Sequence, residues 1–223
     1  MTKDIEFWNK LAPKYAKSNI SDMAAYEFTL ERTRHYLRPD QHVLELGCGT
    51  GTTALALAPN VGTYDATDAA QSMIDIGNQK KHDAGQTNLT LFQSVDVPMT
   101  QGDAPYDCIL AFNFLHLVHD QDRVFQNILD RLKPGGLFIS KTFCMPRDLW
   151  ALPIYAMRAV LPILTQLGKA PNVHFVTMPD WDKKITNAGF EIIETGAYPL
   201  SPPRRFVVAR KPEQYGRDIP QMP

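Results

Sequence analysis

The chain has 223 residues, 44% hydrophobic and 21% charged, which suits one well-buried domain with room for an insertion and is marginal for two. Lysine and arginine number 23 against 24 aspartates and glutamates, so no overall basic field draws the chain to nucleic acid or an anionic membrane, although a local patch stays open. The three cysteines, Cys48, Cys108 and Cys144, lack CxxC spacing, which argues against a zinc site or a disulfide framework and fits a reducing compartment.

The opening, "MTKDIEFWNK", is charged and has no apolar signal region, so the expected location is cytoplasmic. Residues 1–40 read as a helical extension: "IEFWNKLAPKYAK", then "SDMAAYEFTLERTRHYL" with Ser21 or Asp22 as cap. After Pro39-Asp40 come apolar, strand-like runs: "HVLEL", "GTYDATD", "LTLFQSVD", "YDCILAFNFL" and "GGLFISKTF". Between them lie helical segments, "TTALALA" from about Thr52, "QSMIDIGNQKKHDAG" and "DQDRVFQNILDRLKPGG". In the last of these, Val124, Ile128, Leu129 and Leu132 share a face, and Pro134-Gly135-Gly136 is expected to stop the helix. Strand-helix-strand repetition implies right-handed crossovers and a mainly parallel sheet covered on both faces, so the fold class is α/β.

Residues 145–179 break the order. Their apolar stretch "DLWALPIYAMRAVLPILTQLG" holds Arg158, Pro153 and Pro162, which argues against a membrane span and leaves peripheral membrane contact open. Two readings stand: a pair of short buried helices, or a cap over an active site or a greasy substrate wall. The chain closes with a helix "PDWDKKITNAGF", a strand "FEIIETGAY", a proline-rich turn and a strand "RFVVARK"; the tail beyond Pro212 has little to bury. No internal repeat is visible, and one domain over 1–223 is expected.

The stretch "VLELGCGTGTTALALA" places Gly47, Gly49 and Gly51 between the first strand and a helix, where α/β folds hold nucleotide-like ligands. A dinucleotide turn has the spacing G-x-G-x-x-G; here the spacing is G-x-G-x-G, with Thr52 where the third glycine would fall. Glu45, just before the turn, counts against a pyrophosphate and suits a ligand carrying an amine.

"VLELGCGTG" resembles the E/D-x-G-x-G-x-G motif of class I S-adenosylmethionine-dependent methyltransferases. "YDATDAAQSMIDIGNQKK", "LFQSVDVPM", "YDCILAFNFLHLV" and "LDRLKPGGLFIS" are similar to the family's later motifs, in order. "FWNKLAPKYAK" resembles the N-terminal helix of small-molecule members of the type 11/12 kind, including quinone-biosynthesis C-methyltransferases. The resemblance covers Ile5 to Lys141 and, more weakly, the closing strands. It implies a Rossmann-like three-layer sandwich with a seven-stranded sheet in the order 3-2-1-4-5-7-6, the last strand antiparallel.

The resemblance also implies S-adenosyl-L-methionine as cofactor, seated by Tyr15, Glu45, Gly47, Cys48, Gly49, Gly51, Asp68, Ala69, Met73, Asp96, Val97 and Asn113. Asp68 would accept from the two ribose hydroxyls, or would serve as a helix cap; the two roles can coexist. Ala70 stands where the family usually has serine. Asp96 and Val97 would meet the adenine, although an aspartate after a strand is also a common turn residue. Glu45 would balance the ammonium and Asn113 would pass the methionine moiety, with Tyr15 closing over that end. Cys48 reads as a small spacer between glycines, with no base to activate it.

A sulfonium methyl is already activated, so in-line alignment of a small-molecule acceptor is the main catalytic task. Should the acceptor need to lose a proton, His116 is the candidate base, against the alternative of a packed ring; His119, His174 and Tyr198 follow. "NFLH" from Asn113 is not the N-P-P-Y of base and glutamine N-methyltransferases, and Cys108 lies mid-strand, so nucleic acid is not an expected substrate. Trp150, Tyr155, Met157, Leu161, Leu164, Phe175 and Trp181 suggest a partly apolar acceptor. A non-catalytic cofactor-binding module of the same fold is the rival reading. The sequence leaves the oligomeric state open.

Overall fold

The computed structural model describes residues 2–98, 105–146, 152–199 and 202–213. Helices α1 (Thr2–Ala16) and α2 (Met23–Arg34) precede the sheet. Of the two cap candidates, Asp22 starts α2, its Oδ1 accepting from the Ala25 N–H at 2.9 Å. Strands and helices then alternate as β1 (His42–Leu46), α3 (Thr52–Leu57), β2 (Thr63–Asp68), α4 (Gln71–Asp83), β3 (Leu89–Gln93), β4 (Tyr106–Phe112), α5 (Gln121–Arg131) and β5 (Leu132–Phe143). Helices α6 (Leu152–Gln166) and α7 (Met178–Asn187) and strands β6 (Glu191–Ala197) and β7 (Arg204–Arg210) complete the fold.

The seven strands lie in the order β3-β2-β1-β4-β5-β7-β6. The pairs among β1 to β5 are parallel, and β7 runs antiparallel to both its neighbours. This is the expected Rossmann-like α/β sheet. Period-two alternation divides its side chains between two cores. Val43, Leu110, Ile139 and Phe206 pack on one face with Tyr64 and Leu57. Leu44, Ile109, Phe138 and Val207 pack on the other with Phe125, Ile128 and Trp181. Because both faces are covered, the strands read as continuous apolar runs.

Three boundaries differ from expectation. Helix α5 ends at Arg131 and Leu132 is already extended, pairing with Tyr106 on β4. Pro134-Gly135-Gly136 therefore forms an irregularity within β5, between the Leu132–Tyr106 and Leu137–Cys108 pairs, rather than the helix stop. What ends the helix is Lys211, whose ammonium donates to the Leu129 and Leu132 carbonyls at 2.6 and 2.8 Å. The third difference is α6, a single helix with Pro162 inside it. Pro153 falls in its first turn, where no N–H is missed. Tyr155, Met157, Val160 and Ile163 on α6 are exposed, so this segment is not a buried helix pair. No helix of the described residues is long and apolar enough to cross a membrane. Trp150 and the tail from residue 214 lie outside the described residues.

Candidate functional site

β1 lies between β2 and β4, with α2, α3 and α4 packed on one face of the sheet and α5 and α7 on the other, and a crevice opens at its carboxyl end. The turn there holds Gly47, Gly49 and Gly51 at φ of 65°, 55° and 72°. These are left-handed conformations open to glycine at little cost. Gly47 has a second reason: a Cβ there would stand 2.3–2.7 Å from the Phe114 side chain. The turn is tied to β2 by the Cys48 N–H, which donates to the Thr67 carbonyl at 2.8 Å. Asp68 at the tip of β2 braces it again, Oδ2 accepting from the Gly49 N–H and Oδ1 from the Ala70 N–H, both at 2.9 Å. Each Asp68 oxygen keeps one lone pair for a ligand.

A cavity of about 1100 Å³ opens above these strand ends. Tyr15, Glu45, Gly47, Cys48, Gly49, Asp68, Ala69, Met73, Asp96 and Asn113 all line it, so the fold gathers ten of the twelve expected cofactor contacts at one place. Gly51 and Val97 stand just outside: Gly51 is the N-terminal boundary of α3, and Val97 is buried in the core. Helix α1 forms one wall with Ile5, Trp8 and Tyr15. The Tyr15 ring edge would lie 3.6 Å from a Cβ at Gly49, so it overhangs the glycine turn. Burial, then the charges of Asp68 and Glu45, push the Tyr15 pKa up.

Glu45 is the electrostatic centre of the cavity. It is 2% exposed, and its Oε2 accepts from the Tyr64 hydroxyl at 2.8 Å. Burial pushes its pKa up to about 7 against that hydrogen bond, and Asp68 adds to the rise. Among the described residues no Lys, Arg or His side chain pairs with it. A buried carboxylate aimed into a cavity without a countercharge fits a cationic ligand. Asp68 and Asp96 add two acceptors along the same wall, matching a diol and an exocyclic amine. The donor set therefore fits a sulfonium nucleoside bearing an amino acid. Asp96 Oδ1 accepts from the Val97 N–H at 2.9 Å and from Asn127 at 2.7 Å, and Oδ2 accepts from Arg123 at 2.6 Å. Burial raises the Asp96 pKa, but these bonds outweigh it and hold the carboxyl below its ordinary value. Oδ2 retains a lone pair. Asn113 follows the end of β4 at φ 53°, a strained conformation for a residue with a side chain, held by its N–H on the Lys141 carbonyl at 2.6 Å.

His116 is not among the residues lining the cavity. Its ring sits 6.3 Å from that of Phe143, and burial, helped by the Arg204 and His174 charges, pulls its pKa down to about 4. His119 does line the cavity, with Nε2 2.8 Å from Asp4 Oδ2. His174 donates its N–H to the His116 carbonyl at 2.7 Å, and the Tyr198 ring packs on Phe28; neither faces the cavity. Trp181 is fully buried against Phe125 and belongs to the core, and no described residue of α6 lines the cavity. Cys48 is buried, and burial first, then the Glu45 and Asp68 charges, push its thiol well up, which keeps it inert. Among the described residues no His, Cys, Asp and Glu cluster could hold a metal ion. Sequence reasoning missed Lys141 and Arg204, which line the cavity from β5 and β7. The only signal was position: Lys141 sits inside an apolar strand, where a charged residue asks for a reason.

Residues 44–138 match a methyltransferase-domain family. The chain is 26% identical over 182 residues to equisetin synthetase of Fusarium heterosporum, covering 73% of this chain and 4% of that protein. It is 35% identical over 103 residues to a ubiquinone biosynthesis O-methyltransferase of Coxiella burnetii, covering 45% of this chain and 43% of the relative. The chain thus spans less than half the length of either. A crystal structure described as a SAM-dependent methyltransferase from Methanosarcina mazei superposes with a TM-score of 0.66 at 20% identity, covering 81% of this chain and 97% of the other. With the glycine turn, the strand order and the family segment in agreement, residues 44–138 are a methyltransferase domain, and the chain has the fold of the class I S-adenosylmethionine-dependent methyltransferases.

Proposed function

We propose that the chain transfers a methyl group from S-adenosylmethionine to a small, partly apolar acceptor bound in the cavity beside Phe112, Phe114 and Met23. The observation that carries the reading is the buried, unpaired carboxylate of Glu45 at the mouth of the bare glycine turn. When bound, the sulfonium supplies an activated methyl group, so the protein's part is chiefly orientation.

In this reading Glu45 takes the ammonium, directly or through water, and the open N–H groups around Gly47 and Gly49 take the carboxylate. Asp68, already braced by the turn, accepts from the sugar hydroxyls. Asp96 accepts from the base, beside Ala69 and Met73. Asn113, fixed by its main-chain bond, borders the methionine end, and Tyr15 covers it. Helix α1 excludes water along that side. The reading assigns no proton transfer to His116, because its ring stands outside the cavity and a ring whose pKa is held down at about 4 is too weak a proton acceptor to serve as the base at neutral pH. Calorimetry with S-adenosylmethionine and with NADH tests the binding half: the sulfonium is expected to bind and NADH not to. A screen for labelled methyl transfer into a metabolite extract tests the transfer half. Binding without any labelled product would leave a cofactor-binding module and refute the enzyme.

A further inference from the structure

The cavity carries cations as well as acids. Lys141 reaches it from the end of β5 and Arg204 from the start of β7. Lys141 is 6% exposed, and its ammonium donates to Thr29 Oγ1 at 2.8 Å and the Ala25 carbonyl at 3.4 Å. One of its three donors is left over. Arg204 offers five donors, and among the described residues none meets a carboxylate or other side-chain acceptor. That sets it apart from its neighbours: Arg205, on the opposite face of the strand, pairs with Asp182; Arg32 pairs with Glu194; Arg123 pairs with Asp96. Asp22 also lines the cavity, but its carboxylate is engaged as the cap of α2.

Two cations held side by side repel, and burial adds to the cost. Lys141 registers both effects: burial first and Arg204 second pull its pKa down to about 8, against a smaller opposing pull from Asp22. An arrangement of this kind is stabilised by an anion placed between the two, where a guanidinium fork can hold two oxygens and an ammonium a third contact. Phe112, Phe114, Met23 and Pro199 line the same cavity and suit an apolar or aromatic body behind the anionic group.

We propose that Lys141 and Arg204 form an anion subsite that receives a carboxylate or phosphate carried by the methyl acceptor. The proposal rests on the methyltransferase reading for the word acceptor, but the subsite itself is a binding property and is testable without turnover. The same chemistry has a second source, the cofactor's own carboxylate, and the experiment separates the two.

Benzoate, phenyl phosphate and neutral benzamide are titrated calorimetrically into the full chain, alone and saturated with S-adenosylhomocysteine. The same titrations are run on Arg204→Gln, Arg204→Lys and Lys141→Gln, each first checked for a native melting transition. One or both anions are expected to bind at least ten times more tightly than benzamide, with or without S-adenosylhomocysteine. Arg204→Gln is expected to erase that preference and Arg204→Lys to keep part of it; whichever anion binds more tightly names the group. Equal affinity for anion and amide, no anion binding, or a preference that survives Arg204→Gln overturns the subsite. Displacement of the anion by S-adenosylhomocysteine also overturns it, by assigning the cations to the cofactor. Should S-adenosylhomocysteine fail to bind while the anion preference holds, the cofactor reading falls and the subsite stands.

Discussion

Glu45→Gln is the substitution that separates ligand recognition from folding. In the free protein the carboxyl is held at about 7 against an ordinary value of 4.5, almost wholly by burial. The direction fixes the pH dependence. A carboxyl with a raised folded-state pKa stabilises the fold below its unfolded pKa, and that contribution is lost as pH rises through the folded value. The charged form therefore costs the free chain about 3 kcal/mol at pH 8. Gln keeps an acceptor for the Tyr64 hydroxyl and carries no charge, so Glu45→Gln is expected to melt higher than the parent at pH 8 and at the same temperature near pH 4. Ligand binding should run the other way. A bound ammonium favours the ionised carboxyl, so S-adenosylmethionine affinity should rise roughly tenfold between pH 5.5 and 7, with proton release on binding. Glu45→Gln should bind more weakly by about 2 kcal/mol at pH 7 and show no such rise. Calorimetry in two buffers of different ionisation enthalpy reads both quantities. A parent affinity flat from pH 5.5 to 7, or a slope that persists in Glu45→Gln, refutes the assignment of Glu45 to a cation.

Asp68→Ala should weaken S-adenosylmethionine binding by about 1–3 kcal/mol and also lower stability by about 1 kcal/mol, because the Gly49 and Ala70 N–H groups lose their acceptor; unchanged affinity in a folded variant would contradict its role. Gly47→Ala forces a Cβ to within 2.3–2.7 Å of Phe114 at φ 65°, so denaturant unfolding should show a loss of about 2–4 kcal/mol, and a loss below about 0.5 kcal/mol would mean that Phe114 is free to move away. Phe125→Ala removes the ring that touches Phe138, Trp181 and Phe190, and should cost about 3–5 kcal/mol in the same assay, with cofactor affinity retained where the variant is folded.

The sheet was legible because its signal is redundant. Apolar runs, crossover lengths and the glycine turn each point to the same parallel core, and the strand order matches the resemblance carried by "VLELGCGTG". The acidic wall was legible for a related reason: Glu45, Asp68 and Asp96 each sit at or just beyond a strand end, and parallel strands bring their carboxyl ends to one edge. The missed features depend on distant partners. Leu132 continues the apolar face of α5 in sequence, but Lys211, far along the chain, caps the helix and frees Leu132 to open β5. His116 follows the fourth strand as a catalytic base could, yet the 3-10 turn at Leu115–Leu117 carries it away from the cavity toward Phe143. Trp181 reads as part of a greasy substrate wall until α7 turns it onto Phe125. Lys141 and Arg204 share no local pattern; only the antiparallel return of β7 beside β5, which pairs Phe143 with Arg204 and Lys141 with Phe206, brings the two cations together.

A crystal structure of the chain with S-adenosylhomocysteine tests the central claim most directly. The account predicts the amino-acid end at the Gly47–Gly49 turn within reach of Glu45, the ribose on Asp68, and the base beside Asp96 and Ala69. Density for the nucleoside in any other part of the molecule, or Glu45 and Asp68 making no contact with it, would contradict the account.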